Sequence, residues 1–197
     1  IPDENEMIWI DCTSQLHPFG FIGDFTDNRN VLIIKQDSSK ILKTTLYPDK
    51  QNHQFTEANI SLDIEGGISS QIKIKTKGIQ YDNRFYIERE SNKDIIEYYK
   101  EYWSNVNNLE VLDYQFENNK TNVEFTEDIN IQAKNYASLN GERLIFSPNI
   151  FNKNSFIPDR YRSRKLPLEI QRGYFDEDSF SITIPEEYAI EGLPANV

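Results

Sequence analysis

Apolar side chains recur at every second position through most of this chain, the pattern of strands with one buried face. Thr56, Ala58, Ile60, Leu62 and Ile64 share one face, Glu65-Gly66-Gly67 supplies a turn, and Ile68, Ser70, Ile72 and Ile74 answer it, which predicts a hairpin. Leu112, Tyr114 and Phe116 alternate next. The polar run Glu117-Asn118-Asn119-Lys120 reads as a turn, and Val123, Phe125, Ile129 and Ile131 line a further strand. Leu166, Leu168 and Ile170 lead into Tyr174, Asp176-Glu177-Asp178 reads as another turn, and Phe180, Ile182 and Ile184 make a last hairpin before Pro185. Short strands separated by turns predict a mainly β fold, an antiparallel β-sandwich.

One segment departs from this period. From Ser91 onward Ile95, Tyr99, Tyr102 and Val106 fall at spacings of three and four, which predicts one amphipathic α-helix over about residues 92–106, with Ser91 and Asp94 resembling a capping box. Tyr98, Tyr99, Tyr102 and Trp103 form an aromatic stripe on it, and such stripes belong to a core more often than to a ligand platform.

Gly20 to Asn30 interleaves aromatics with turn residues before Val31-Leu32-Ile33-Ile34 opens a new strand. This places a domain boundary near residue 30, with residues 31–197 as a β-sandwich domain. Asn149 to Arg164 is long for a connection in a compact domain, and such loops usually carry function or move.

Composition narrows the function classes. The 197 residues carry 32 acids against 21 bases, a formal charge of −11 that opposes a phosphate backbone, so nucleic acid is not an expected partner. A single cysteine excludes an internal disulfide and a multi-cysteine zinc site. No run reaches the roughly 20 apolar residues of a membrane-spanning helix. The first 20 residues lack a basic region followed by an apolar one. The chain opens in an apparent strand context, Glu6 to Ile10, and stops after Leu193-Pro194 without a polar fade, so it reads as a segment of a longer protein.

Few residues suggest chemistry. A cysteine nucleophile needs a histidine base and a group that holds its tautomer. Cys12 has only His17, five positions on, and His53 to draw upon. Within a strand it would face away from Asp11. Its expected role is a small buried apolar residue. Asp11 closes the apolar run Met7 to Ile10, where an ionised carboxylate asks for a partner. Thr13 and Ser14 can satisfy it in an Asx-type turn, and a histidine outside the chain is the functional alternative.

Asp24, Asp27, Asn28 and Asn30 offer oxygen ligands at short spacing but lack the glycine and distal glutamate of a calcium loop, so they read as a solvated turn cluster and no metal is expected. Arg160, Arg162 and Arg164 make a basic row suited to carboxylates or phosphates. Surface pairing with local acids is the plainer reading of that row.

Trp9-Ile10-Asp11-Cys12-Thr13-Ser14-Gln15, followed by Pro18-Phe19-Gly20 and Phe25-Thr26-Asp27-Asn28-Arg29, resembles the closing stretch of the transglutaminase-like core in multidomain proteins of Bacteroidetes-type bacteria. Lys77-Gly78-Ile79-Gln80-Tyr81-Asp82-Asn83-Arg84, Asn149-Ile150-Phe151-Asn152, Glu169-Ile170-Gln171-Arg172-Gly173-Tyr174 and Leu193-Pro194 resemble the C-terminal β domain of unknown function that follows that core. The resemblance implies that residues 1–30 end a papain-like core and that Asp11 is the orienting acid of a Cys-His-Asp triad. The cysteine and histidine of that triad would precede Ile1, and Cys12 is not the family's nucleophile. It further implies an exported protein, periplasmic or at the cell surface, whose acyl-transfer chemistry needs no cofactor. The partners are then the remainder of the same polypeptide and a protein or peptide substrate. The rival expectation is a stand-alone module that binds glycan or peptide through exposed aromatics and the loop 149–164.

Overall fold

The computed structural model describes residues 7–154, 160–163, 165–167 and 172–193. The expected first hairpin is present as β3 (His53–Leu62) and β4 (Ile68–Lys77), paired antiparallel from Gln54↔Thr76 to Leu62↔Ile68. Asp63 shapes the turn by accepting the N–H groups of Glu65 at 2.9 Å and Gly67 at 2.8 Å. Gly66 takes φ +84, and a Cβ there would collide with the carbonyl of Ala137. Ile64 sits in this turn and is exposed, not on the strand face assigned to it by alternation.

β5 (Leu109–Asn119) and β6 (Glu124–Ala133) form the second hairpin. β5 runs through Asn119, and the turn falls later, with Val123 in it at φ +49. β4 pairs with β6, so the strand order is β5-β6-β4-β3-β9, where β9 spans Phe175–Thr183. All pairings are antiparallel except β3 with β9, which is parallel.

The last expected hairpin is therefore corrected: Asp176-Glu177-Asp178 is not a turn but the first half of β9. Asp176 and Asp178 lie opposite Gln54 and Thr56 in the register that places Phe180 and Ile182 beside Ala58 and Ile60. Acids are tolerated there because donors reach them: Gln80 Nε2 donates to Asp176 at 2.7 Å and Asn152 Nδ2 to Asp178 at 3.0 Å. Leu166 is exposed, and Leu168 and Ile170 lie outside the described residues.

One face of the sheet buries Ala58, Ile60, Ile72, Ile74, Phe125, Ile129 and Ile131. Each contributes about 1.5–3 kcal/mol of burial when large and aliphatic or aromatic. The opposing layer consists of α1 (Ile79–Asp82), the 3-10 segment Phe85–Arg89, α2 (Asn92–Tyr102) and the buried pair Ile150 and Phe151. α2 starts where expected: Ser91 Oγ accepts the Asp94 N–H at 3.3 Å and donates to the Asp94 carboxylate at 2.6 Å. It ends at Tyr102, short of residue 106, because Trp103 leaves helical geometry with ψ 42. Tyr99 and Trp103 are buried, and Trp103 Nε1 donates to the Phe151 carbonyl at 3.0 Å.

The other face presents Glu57, Asn59, Gln71, Lys73 and Asp128 to water, as antiparallel sheets often do. The fold is mainly β with antiparallel and mixed sheets. Among the described residues the five-stranded sheet faces helices and loop, not the second large sheet of a sandwich. The remaining strands form two-stranded ribbons: β1 (Asn30–Ile34) with β2 (Ser39–Lys43), and β7 (Ser138–Asn140) with β8 (Arg143–Ile145). Residues ahead of β1 pack onto the same core, since Phe21 is buried against Tyr47 and Tyr81.

Candidate functional site

Met7 to Cys12 adopts no strand, and Met7, Ile8 and Ile10 are exposed. Cys12 is exposed too, which corrects the expectation of a buried packing residue. With no strand pairing among the described residues, this run has no sheet face on which to bury it.

Asp11 lies at the end of that run in an Asx-type turn. Its Oδ1 accepts the Thr13 N–H at 2.9 Å and the Thr13 hydroxyl at 2.7 Å. Ser14 takes no part in this turn; its Oγ accepts the Leu16 N–H at 3.2 Å. Asp11 Oδ2 accepts the Thr26 hydroxyl at 3.0 Å, a contact across fifteen positions that local spacing does not reveal. The Thr13 hydroxyl bond first and the Thr13 amide second hold the Asp11 carboxyl below its ordinary value against desolvation, with smaller help from Thr26 and then His17. Asp11 is thus an ionised acceptor near the surface, with two bonds on one oxygen and one on the other.

Thr26 belongs to a tight loop. The N–H groups of Thr26 and Asp27 both donate to the Gly23 carbonyl at 3.1 Å, and Asn28 takes φ +52 while donating to the Thr45 carbonyl at 2.8 Å. Thr44 Oγ1 donates to the Thr26 carbonyl at 2.6 Å. The cluster Asp24 to Asn30 forms the expected turn, with Asp24 and Asn30 exposed, but Asp27 departs from it, at 1% exposure. Its Oδ1 accepts Arg172 Nε at 2.8 Å and Nη2 at 2.5 Å, and Arg172 Nη2 also donates to the Asp24 carbonyl. The hydrogen bond to Asp27 raises the Arg172 guanidinium above its ordinary value. Two motifs distant in sequence, Phe25 to Arg29 and the run containing Arg172, therefore meet in one ion pair.

His17 closes the other side of this loop. Its Nε2 lies 2.7 Å from Asp82 Oδ1, and the Asp24 N–H donates to Asp82 Oδ2 at 3.0 Å. The histidine's partner is Asp82, not Cys12. Gly23 leaves room here for the Asp82 carboxylate and the His17 ring, which a Cβ would push aside.

Arg160 and Arg162 are exposed, and Arg164 lies outside the described residues. The loop expected over 149–164 is anchored at its start, where Ile150 and Phe151 are buried and Asn105 Nδ2 donates to the Ile150 carbonyl at 3.0 Å. A groove of about 350 Å³ on the open sheet face is lined by residues such as Asn59, Gln71, Asp113 and Asn130, and none of its lining residues is aromatic. Among the described residues no group of three or more His, Cys, Asp or Glu side chains is placed to hold a metal. No helix among them is long and apolar enough to cross a membrane.

Sequence reasoning passed over a second constellation, buried between sheet and helix. Glu127 is fully buried and accepts Arg84 Nε at 2.5 Å, Arg84 Nη2 at 2.9 Å and the Tyr99 hydroxyl at 2.6 Å. Arg84 lies under the Tyr102 ring, 4.5 Å from its centroid. Burial opposes the guanidinium charge, but Glu127 outweighs it and holds Arg84 well above its ordinary value. The signal was present: Glu127 occupies a core-facing position between Phe125 and Ile129. With water excluded and every partner internal, the cluster fastens α2 to β6 and is not a place for substrate.

A family model described as a domain of unknown function with a solved structure, DUF3858, matches residues 142–197. The match takes in β8, Arg172 and β9. Comparison with the curated proteins and with the solved structures gives no match.

Proposed function

We propose that this chain is the closing stretch of a transglutaminase-like core joined to a C-terminal β domain, and that its catalytic contribution is the carboxylate of Asp11. The observation that carries this reading is the state of that carboxylate. It is held ionised near the surface by Thr13 and Thr26, which use three of the roughly four acceptor positions of a carboxylate and leave room on Oδ2 for one more donor. An imidazole Nδ1–H from the core is a donor of the right chemistry. The exposed Met7, Ile8 and Ile10 leading to Asp11 suit burial against that core.

In the parent protein, the cysteine thiolate attacks an amide carbonyl of a protein or peptide substrate and forms a thioester. The histidine protonates the departing amine, and water or a second amine then attacks the thioester. Asp11 accepts the imidazole N–H, which fixes the tautomer and stabilises the imidazolium. Both nucleophile and base precede Ile1 in this reading, and the parent is exported to the periplasm or cell surface. No cofactor is needed for these steps.

The chain by itself is then inert. Mixed with a protein amide substrate and a primary amine, it releases no ammonia, and turnover lost on Cys12→Ser substitution would overturn the reading. A stand-alone glycan- or peptide-binding module draws less support, because the groove on the open sheet face offers no aromatic ring for a sugar to stack on.

A further inference from the structure

Asp11 is held by two kinds of hydrogen bond. Those from Thr13 are local and travel with Asp11 wherever its segment goes. Among the described hydrogen bonds of its carboxylate, the one from Thr26 alone ties it to a distant part of the fold. What places the Thr26 hydroxyl therefore places the acid.

Thr26 has little freedom of its own. Its N–H is committed to Gly23 and its carbonyl to Thr44. Its neighbour Asp27 is a carboxylate with 1% exposure, and a buried charge of that kind goes where its counter-charge is. That counter-charge is Arg172, whose planar fork reaches Asp27 Oδ1 through two nitrogens and the Asp24 carbonyl through one of them. A rigid fork spanning residues 24 to 27 fixes the orientation of the loop as well as its position.

We propose that Arg172 is a positioning residue for Asp11: by pinning Asp27 it holds the adjacent Thr26 hydroxyl on Asp11 Oδ2, so that the segment leading into β9 sets the geometry of the acid. The value of that geometry for catalysis rests on the reading of Asp11 as the triad acid. The clamp itself does not. His17 is the titratable neighbour that acts on Asp11, and Asp82 holds it from α1 independently of Arg172.

The test is a pH titration of the Asp11 carboxyl carbon by NMR in the 197-residue chain, assigned through its loss in Asp11→Asn. Thr26→Val removes the hydroxyl at constant shape and gives a reference upward shift in the titration midpoint. Arg172→Ala is expected to produce that same shift, the double variant Thr26→Val/Arg172→Ala to add nothing to it, and Arg172→Lys to recover part of it. Unchanged methyl resonances of Ile72 and Ile129 report an intact core. If Arg172→Ala alone unfolds the chain, Asp27→Asn/Arg172→Ala, which leaves no unpaired buried charge at position 27, is titrated in its place with the same expectation. A wild-type Asp11 titration in the Arg172 variant with the core intact, or a shift that adds to that of Thr26→Val, overturns the proposal. Either failure leaves the triad reading standing, since that reading is judged by turnover of the full-length protein.

Discussion

Glu127 receives both nitrogens of the Arg84 fork, at 2.5 and 2.9 Å, in the closed space between the sheet and α2. A bidentate pair there is strong only while both members remain. Arg84→Ala leaves the fully buried Glu127 with the Tyr99 hydroxyl alone and is expected to cost about 3–5 kcal/mol in denaturant unfolding. The paired change Arg84→Met/Glu127→Leu removes both charges and should recover most of that loss. A single variant as stable as the wild type would show that the pair does not hold the segment before α2 against the sheet.

The helix start gives a smaller effect. Ser91→Ala removes the acceptor of the Asp94 N–H and is expected to lower stability by about 1 kcal/mol, measured by the same unfolding experiment. No change would mean that the helix start is held by packing of Ile95 and Tyr99 rather than by its cap.

Glu124 gives stability a pH dependence. Its carboxyl sits below its ordinary value of 4.5, first through the hydrogen bond from Lys77 and then that from Lys75, against a desolvation cost. A depressed folded value contributes stability above the unfolded value, and that contribution is lost as pH falls through the folded one. Glu124→Gln should therefore cost at most about 1 kcal/mol at neutral pH, and the difference between wild type and variant should shrink as pH falls below 4.5 and vanish below the depressed folded value. A difference that grows on acidification would contradict this assignment.

Exposure of Cys12 has a direct chemical consequence. The thiol should react with a soluble disulfide reagent at the same rate in the native chain as in urea, corrected for the reagent's own dependence on urea. Protection in the native state would place Cys12 in the packing role expected of a small apolar residue.

The parts of the fold legible in the sequence are those where a single local rule decides the outcome. β3–β4 follows from alternation because one face meets the core and the other meets water, and β5–β6 follows it from Tyr114 onward, whereas a bulge after Val111 leaves Leu112 exposed. The start of α2 follows from Ser91 and Asp94. β9 misled because Asp176 and Asp178 occupy positions where donors from Gln80 and Asn152 replace apolar neighbours, and those donors lie 96 and 26 positions away. The Asx turn of Asp11 with Thr13 was readable, whereas the third bond, from Thr26, depends on a loop folded back by Gly23 and Asp27. Arg172 is 145 positions from Asp27, so nothing near either residue marks that acid as buried. Among the described residues the opposing layer is helix and loop, with Tyr81, Phe85, Tyr99 and Trp103 supplying the apolar surface that covers the inner face.

The central proposal concerns Asp11, and a longer protein that includes the proposed preceding core tests it. Amide hydrolysis and incorporation of a fluorescent primary amine into a protein substrate are measured for wild type, Asp11→Asn and Cys12→Ser. Asp11→Asn is expected to reduce kcat on the order of 10⁴-fold by leaving the histidine in the wrong tautomer, with Cys12→Ser unchanged. Wild-type turnover in Asp11→Asn, or loss of turnover in Cys12→Ser, would contradict the assignment of Asp11 as the orienting acid.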